Sequence, residues 1–213
     1  MIQAIIFDMD GTLYDTEQIY GRAWLHAGLS KEQYARIIGS SQKKIREWLT
    51  SWGMDADEMI QKRTSYVDRE LKNNGIPIKP GARECLMWAR EHGYRCAVAS
   101  SSSASIVEQY LSLTNMTSFF SVMLGGDDVE RGKPNPDLFL FASKLLQKDP
   151  SYCLVVEDSY NGVRAGKNAG MTTVMIPDKI PPDEEMRTLA DAILSSLNEL
   201  PSYLNRMEHK KGS

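Results

Sequence analysis

The sequence predicts an α/β protein: a mostly parallel sheet with a helical insert after its first strand. The chain opens with an apolar, β-rich run that stops at two carboxylates, Asp8 and Asp10. From about residue 80 onward, β-type runs alternate with helical segments. Such alternation favours parallel strands joined by right-handed crossovers, with helices on both faces. Residues 16–78 interrupt the rhythm with helical periodicity and no convincing strand, which indicates an insert.

The elements can be assigned in chain order. The first strand covers residues 2–7 and is apolar throughout, as expected of a strand that is buried on both faces. The next helix begins at Pro80–Gly81, where proline is tolerated in the first turn, and ends near His92, with Gly93 as a stop. Beyond it we expect strands at 94–99, 120–124, 152–156 and 172–176, with helices to about residue 113, over 137–147 and to about residue 168.

The domain boundaries follow from this pattern. Residues 1–15 and 79–213 are expected to form the core, and residues 16–78 a separate helical domain typical of a lid. Trp48 and Trp52 lie four residues apart on one helix face and are expected to pack into the core of that domain. Asp15 with Gln18 has the spacing of a helix N-cap and its partner, so Asp15 is interpreted as structural.

Composition excludes several classes of protein. The 213 residues are 42% hydrophobic and 25% charged, with a net charge of −3, which is ordinary for a globular protein and gives no basic stripe for nucleic acid. No apolar stretch is long enough to span a bilayer, and no signal peptide is recognised, so a cytoplasmic location is expected. A monomer is also expected. Cys85, Cys96 and Cys153 are odd in number and widely spaced, which predicts buried, reduced thiols.

Polar residues of the types used in phosphoryl transfer stand at the predicted strand exits. If the sheet is parallel, all of them open on one edge, where ligands bind in such folds. Taken alone, each has an ordinary explanation. A lysine before a proline is usually a solvated loop residue, and an acidic pair usually lies on the surface. A serine after a strand is usually a helix cap, a role that Ser103 would take here. Their joint occurrence is far less easily explained by chance. The set comprises Asp8 and Asp10, Ser100, Lys133, and Glu157 with Asp158.

These residue types fit a phosphate monoester, which carries about two negative charges near neutral pH. Several carboxylates would repel it unless a cation intervened, and Mg²⁺ prefers oxygen ligands. Lys133 adds a positive charge, while the hydroxyl of Ser100 and neighbouring backbone N–H groups, as at Ser101, suit the phosphate oxygens. One carboxylate can attack phosphorus to give an aspartyl-phosphate, and a second can transfer the proton.

Four segments of the sequence resemble the motifs of the haloacid dehalogenase superfamily. They are Phe7-Asp8-Met9-Asp10-Gly11-Thr12-Leu13, Val98-Ala99-Ser100, Gly132-Lys133-Pro134, and Glu157-Asp158-Ser159 with Gly162. Their order, with a helical insert after the first motif, is similar to the beta-phosphoglucomutase-like subgroup. The resemblance covers essentially the whole core and implies a Rossmann-like sheet with a small helical cap.

The resemblance also implies roles for individual residues. Asp8 would be the nucleophile and Asp10 the general acid and base. Phosphate would be bound by Ser100, Ser101, Lys133 and Gly11. Mg²⁺ would be held by Asp8, the backbone carbonyl of Asp10, Glu157 and Asp158. A cis peptide bond at Lys133–Pro134 is a further implication.

Three functions compete at this point. The first is a Mg²⁺-dependent phosphatase acting on a small phosphorylated metabolite, such as a sugar phosphate. The second is a phosphomutase of the beta-phosphoglucomutase type, and the third is a dehalogenase or a silent binding module. The third is disfavoured, because a dehalogenase of this superfamily needs neither Asp10 nor the metal acids, and a silent module is expected to have lost one of the four groups.

The insert decides between the first two functions. Characterised beta-phosphoglucomutases use a histidine, an arginine and a lysine of the cap, and these positions fall on Tyr20, near Gln42 after Gly39, and near Asp68. All three depart from the mutase pattern, which favours the phosphatase. Lys43 and Arg69 lie nearby in sequence and could compensate in part. The candidate contributors of the cap to substrate binding are Tyr20, Gln42, Lys43 and Arg46.

Overall fold

A computed structural model gives the structure of the chain over residues 1–38, 40 and 42–209. Gly39, the glycine that precedes the position of the mutase arginine, and residues 210–213 of the polar tail lie outside the described residues. The strands are β1 Ala4–Phe7, β2 Arg95–Ala99, β3 Val122–Leu124, β4 Cys153–Glu157, β5 Thr172–Met175 and β6 Ala192–Ile193. The helices are α1 Glu17–Ala27, α2 Lys31–Ile37, α3 Gln42–Ser51, α4 Ala56–Asn74, α5 Ala82–Glu91, α6 Ala104–Leu113, α7 Asp137–Leu145, α8 Tyr160–Asn168, α9 Glu184–Leu189 and α10 Leu200–His209.

The described strands form one sheet in the order β3-β2-β1-β4-β5-β6. Every neighbouring pair is parallel. The prediction of an α/β fold with a parallel sheet is therefore confirmed, and five of its strands fall where the sequence predicts them. The sixth, β6, was missed because it has only two residues, too few to show any periodicity.

The register of the sheet brings the chemistry-bearing residues to one edge. Phe7, the last residue of β1, lies beside Val98 of β2 and Val156 of β4. Asp8, Ser100 and the acid pair after Val156 consequently leave the sheet side by side. All residues of β1 are buried, as expected of a central strand in a sheet covered on both faces.

The chain divides into two compact units. The first comprises residues 1–14 and the chain from Ile78 onward, and it contains the sheet. The second, Asp15–Pro77, contains α1 to α4, and its two ends are joined by a hydrogen bond from the Asp15 N–H to the Pro77 carbonyl at 2.9 Å. We call these the sheet unit and the helical unit.

Aromatic and aliphatic side chains build the core of the helical unit. Trp24 and Leu49 are buried in it, and Trp48 and Trp52 pack against the same cluster. The rings of Trp48 and Trp52 stack with centroids 5.6 Å apart. Their predicted core role is confirmed, although α3 ends one residue before Trp52.

Two predicted helix caps differ from the structure. Gln18 does donate to Asp15, at 3.0 Å, but Thr16 occupies the N-cap position of α1, so the predicted pairing is right and the capping role is wrong. Ser103 occupies the N-cap position of α6 without accepting a capping hydrogen bond. The Asp127 carboxylate accepts the Ala104 N–H instead, at 2.7 Å, a tertiary contact that local sequence does not reveal.

The remaining expectations concern thiols and membranes. Cys85, Cys96 and Cys153 are all buried and free, as predicted. Burial raises the pKa of the Cys85 and Cys96 thiols to about 12, so both are protonated at neutral pH. Of the helices described, none combines the length and the apolar character that a bilayer crossing requires.

Candidate active site

A buried lysine joins two of the predicted acids at the carboxyl edge of the sheet. Lys133 Nζ donates to Asp8 Oδ1 and to Glu157 Oε1, both at 2.6 Å, and to the Ala99 carbonyl at 3.0 Å. These contacts use all three donors of the ammonium group. Three segments that are far apart in sequence thus converge on one charge, as the parallel sheet predicted.

The loop that carries Lys133 is fixed by its own contacts. The Asn135 N–H donates to the Gly132 carbonyl at 3.1 Å, and Asn168 Nδ2 donates to the Pro134 carbonyl at 3.1 Å. The Lys133–Pro134 peptide bond is cis, which confirms the implication of the family resemblance. The ammonium group also lies 4.9 Å from the centroid of the Phe139 ring, a low-dielectric surrounding that strengthens its electrostatic interactions.

Both carboxylate oxygens of Glu157 accept hydrogen bonds. Its Oε2 accepts hydrogen bonds from the Asp158 N–H at 3.0 Å, and from the Ser159 N–H and hydroxyl at 2.9 Å each. Gly162 makes room for this carboxylate, since a Cβ at that position would lie 1.8 Å from Glu157 Cδ. Glu157 therefore anchors Lys133 and the loop after β4 in this arrangement.

Asp158 lies against the turn that follows β1. Gly11 has a φ of +90°, which favours glycine, and a Cβ there would approach Asp158 Oδ2 to 2.2 Å. Carboxylate oxygens of Asp8, Glu157 and Asp158 lie within 4.8 Å of one another. This all-oxygen donor set fits a hard divalent cation.

The electrostatics of the cluster also favour an added cation. Burial raises the pKa of Asp8 well above its usual value; Lys133 opposes this rise and the charge of Glu157 adds to it. Burial alone would lower the pKa of Lys133, but the carboxylates of Asp8 and Glu157 outweigh burial and raise it. The single ammonium group of Lys133 neutralises only part of the negative charge of these carboxylates, and a bound cation would offset the rest.

Asp10, the second acid of the first motif, faces the loop after β2. Its Oδ2 accepts a hydrogen bond from Ser102 Oγ at 2.8 Å and lies 3.4 Å from Ser100 Oγ. The Ser102 N–H donates to Ser100 Oγ at 3.0 Å. Sequence reasoning missed Ser102, because nothing within a run of four serines distinguishes the one whose hydroxyl reaches a residue 92 positions away.

The serine loop is packed directly against the segment after β3. The Gly126 N–H donates to the Ser102 carbonyl at 2.7 Å. A Cβ on Gly125 would lie 2.0 Å from the Ala104 nitrogen, and one on Gly126 would lie 2.6 Å from the Ser101 carbonyl oxygen. Two glycines thus permit the close backbone contact between these two segments.

The predicted site residues fall into two groups. Asp8, Lys133, Glu157 and Asp158 form one cluster, and Asp10 and Ser100 form a second contact within the sheet unit. Ser101 is exposed, and the Gly11 N–H donates to the Tyr14 carbonyl at 2.8 Å. The assignment of these last two residues to phosphate binding stays a prediction.

A parallel sheet whose carboxyl edge carries a buried lysine among carboxylates is typical of an enzyme with an acidic active site. The family model described as haloacid dehalogenase-like hydrolase matches residues 5–176. The chain therefore belongs to the haloacid dehalogenase-like hydrolase family, as the sequence motifs predicted.

Curated relatives indicate the kind of enzyme. The chain is 31% identical over 211 residues to a bifunctional riboflavin kinase/FMN phosphatase of Arabidopsis thaliana, covering 92% of this chain but only 54% of that longer protein. It is 29% identical over 216 residues to hexitol phosphatase B of Escherichia coli, covering 93% of this chain and 94% of the relative. The prediction of a haloacid dehalogenase-type phosphatase is confirmed at the level of this enzyme class.

A solved structure supports the predicted fold. Beta-phosphoglucomutase from Clostridium difficile superposes with a TM-score of 0.81, covering 99% of this chain and 98% of that one, at 22% identity. At that identity the likeness concerns the fold alone. The beta-phosphoglucomutase-like architecture is thereby confirmed.

Proposed function

We propose that the protein is a Mg²⁺-dependent phosphatase that hydrolyses a small phosphorylated metabolite, such as a sugar phosphate, through an aspartyl-phosphate at Asp8. The observation that carries the proposal is the buried contact of Lys133 with Asp8 and Glu157 at 2.6 Å each. Charged groups are costly to bury, so such a cluster at a ligand-binding edge is typical of a catalytic site. The names of curated relatives, among them hexitol phosphatase B, support the proposed substrate class.

Asp8 is the proposed nucleophile. Lys133 holds Oδ1 of its carboxylate and opposes the rise in pKa that burial causes, and a bound cation would oppose that rise further. An oxygen of Asp8 forms a bond to phosphorus while the bond from phosphorus to the ester oxygen breaks. The product of this step is a mixed anhydride of Asp8 and phosphate, and the leaving oxygen departs with the proton that Asp10 supplies.

Asp10 is the proposed general acid and base. After the leaving group departs, Asp10 takes a proton from a water molecule as that water attacks phosphorus. The bond from phosphorus to the Asp8 oxygen then breaks, which releases inorganic phosphate and restores the carboxylate. The cycle consumes one water, and Asp10 ends it in its starting protonation state.

Mg²⁺ fits the acid cluster, and we assign its ligands to Asp8, the Asp10 carbonyl and Asp158, with Glu157 as the fourth residue of the predicted set. When bound, the ion supplies Lewis-acid charge stabilisation to the phosphoryl group. Glu157 already has its oxygens engaged by Lys133 and by the loop after β4, so its contribution is support for the neighbouring ligands.

The helical unit is proposed to act as a cap domain that selects the substrate. Both of its connections to the sheet unit are short, and the first follows Asp10 within a few residues. Lid domains of this kind exclude water and complete the pocket of many enzymes. Ser100, Ser101, Lys133 and Gly11 remain the proposed contacts of the phosphate group itself.

The mutase alternative is not favoured. Its cap histidine is replaced by Tyr20, whose buried ring lies 4.4 Å beneath the Arg63 guanidinium, and its cap lysine by the exposed Asp68. A mutase must protect its phosphoenzyme from water and orient a bisphosphate, and the groups expected for this are absent from these positions of the described chain.

The proposal is tested by measuring the release of inorganic phosphate from a panel of phosphorylated metabolites. The panel includes hexitol phosphates, hexose phosphates and FMN. Release that requires Mg²⁺ and stops with EDTA is the expected result. In a parallel arm, beta-glucose 1-phosphate is incubated with a bisphosphate primer. Formation of glucose 6-phosphate instead of free phosphate would establish the mutase and overturn the proposal.

A further inference from the structure

We propose that Ser102 is a positioning residue for Asp10, whose carboxyl group it holds in the orientation needed for proton transfer. The inference rests on the proposed function, because it assigns a partner to the proposed general acid. Ser102 Oγ donates to Asp10 Oδ2 at 2.8 Å, within the range of a normal hydroxyl hydrogen bond.

Ser102 makes this contact better than its neighbour. Ser100 Oγ lies 3.4 Å from the same oxygen, beyond the 2.5–3.0 Å or so that hydroxyl hydrogen bonds prefer. Ser100 Oγ also accepts the Ser102 N–H at 3.0 Å. Ser100 therefore remains suited to a phosphate oxygen, while Ser102 is committed to Asp10.

The position of Ser102 is itself fixed. Its carbonyl accepts the Gly126 N–H at 2.7 Å and its N–H is bound to Ser100 Oγ. The hydroxyl therefore starts from an anchored backbone, and little conformational freedom is lost when it binds the carboxyl group. A general acid held in this way is close to its working geometry before the substrate arrives.

The chemical consequence concerns the leaving group. The hydrogen bond from Ser102 fixes the rotation of the Asp10 carboxyl group, and with it the direction from which the proton passes to the departing ester oxygen. Loss of the hydroxyl should therefore matter most when that oxygen needs a proton. Phenolate needs it more than p-nitrophenolate, since the nitro group stabilises the free anion. A serine that only supports the loop would affect both substrates alike.

The test compares phenyl phosphate with p-nitrophenyl phosphate for wild type, Ser102→Ala, Ser102→Thr and Ser103→Ala. The measured quantity is kcat/KM, which reports the steps up to departure of the phenol. General acid–base catalysis is worth about 10²–10⁴-fold, and we assign about tenfold of it to positioning. Ser102→Ala should thus lose about tenfold more on phenyl phosphate than on p-nitrophenyl phosphate.

Two variants serve as references. Ser102→Thr keeps a hydroxyl and should preserve most of the wild-type ratio between the substrates. Ser103→Ala removes the neighbouring hydroxyl, which lies 3.0 Å from Ser105 Oγ, and should leave the ratio unchanged. Thermal melts show whether each variant is folded.

The outcomes separate this assignment from the proposed function. Equal losses on both substrates for Ser102→Ala, or no loss on either, would overturn the role of Ser102 while wild-type turnover still supports the phosphatase. A folded wild-type protein that hydrolyses neither ester nor any metabolite would overturn both. A substrate-dependent loss that Ser102→Thr reverses supports the assignment.

Discussion

The sheet unit buries a cluster of charged groups, whereas the described ion pairs of the helical unit are exposed or partly exposed. In the sheet unit, Lys133 and its partners Asp8 and Glu157 have side chains that are 4%, 9% and 1% exposed. In the helical unit, the pair formed by Arg46 and Asp57 is 49% and 82% exposed. Buried charges lose their hydration and persist only when paired, whereas exposed pairs contribute little free energy.

This difference indicates where function can be inferred. A cluster of buried charges at a ligand-binding edge costs free energy and is typical of a catalytic site. This cluster lies in the sheet unit. The described ion pairs of the helical unit are compatible with an ordinary solvated surface around an aromatic core. Substitutions in the two units should therefore change the free energy of unfolding by graded amounts.

Lys133→Met should have the largest effect. It leaves the carboxylates of Asp8 and Glu157 buried without their cation, and breaking a buried pair in this way costs about 3–5 kcal/mol. Chemical denaturation at neutral pH measures the loss. Lys167→Met is the matched control, because its pair with Asp191 is partly exposed and is worth less than about 1 kcal/mol. Equal losses for the two variants would contradict the comparison.

Mg²⁺ should stabilise the wild-type protein relative to EDTA. A ligand that binds only the folded state adds about 2.7 kcal/mol at a concentration one hundred times its dissociation constant. The check is the melting temperature across a Mg²⁺ titration. Asp158→Asn should remove most of the increase without weakening the protein in EDTA, since it takes one negative charge from the cluster. An undiminished Mg²⁺ effect in this variant would remove Asp158 from the proposed ligands.

Gly162→Ala should destabilise the protein by about 1–3 kcal/mol, the usual cost of overpacking. Its Cβ would displace the carboxyl group of Glu157 and with it a partner of Lys133, so turnover should fall as well. Denaturation and phosphate release measure the two effects. Gly132→Ala is the control for stability, because its Cβ would meet no atom within 4 Å. A fully stable and active Gly162→Ala would show that Glu157 tolerates displacement.

Arg46→Ala should have the smallest effect, under about 1 kcal/mol, since its pair with Asp57 is exposed. Arg46 is also a candidate contributor of the cap to substrate binding. A higher KM with unchanged stability would support that role, and Asp57→Ala separates it from loss of the ion pair. A destabilisation as large as that of Lys133→Met would erase the distinction between the units.

The same contrast explains how much the sequence predicts. Asp8, Lys133 and the acid pair could be placed together because parallel strands end at a common edge, and strand exits are visible in the sequence. The contacts of Ser102 and Asp127 could not be predicted. Each is a single side-chain contact with a segment that is distant in sequence, and the approach of that segment depends on Gly125 and Gly126. In the helical unit, Tyr20 and Asp68 show only that the mutase pattern is absent, and no positive pattern takes its place.

The most direct test is a single-turnover experiment with enzyme in excess over p-nitrophenyl phosphate and Mg²⁺, quenched in acid and analysed by peptide mass spectrometry. The proposed mechanism predicts a transient phosphoryl group on the peptide that contains Asp8, and neither that species nor turnover in a folded Asp8→Asn variant. Phosphate release at the wild-type rate by Asp8→Asn, or a phosphoryl group on another residue, would contradict it.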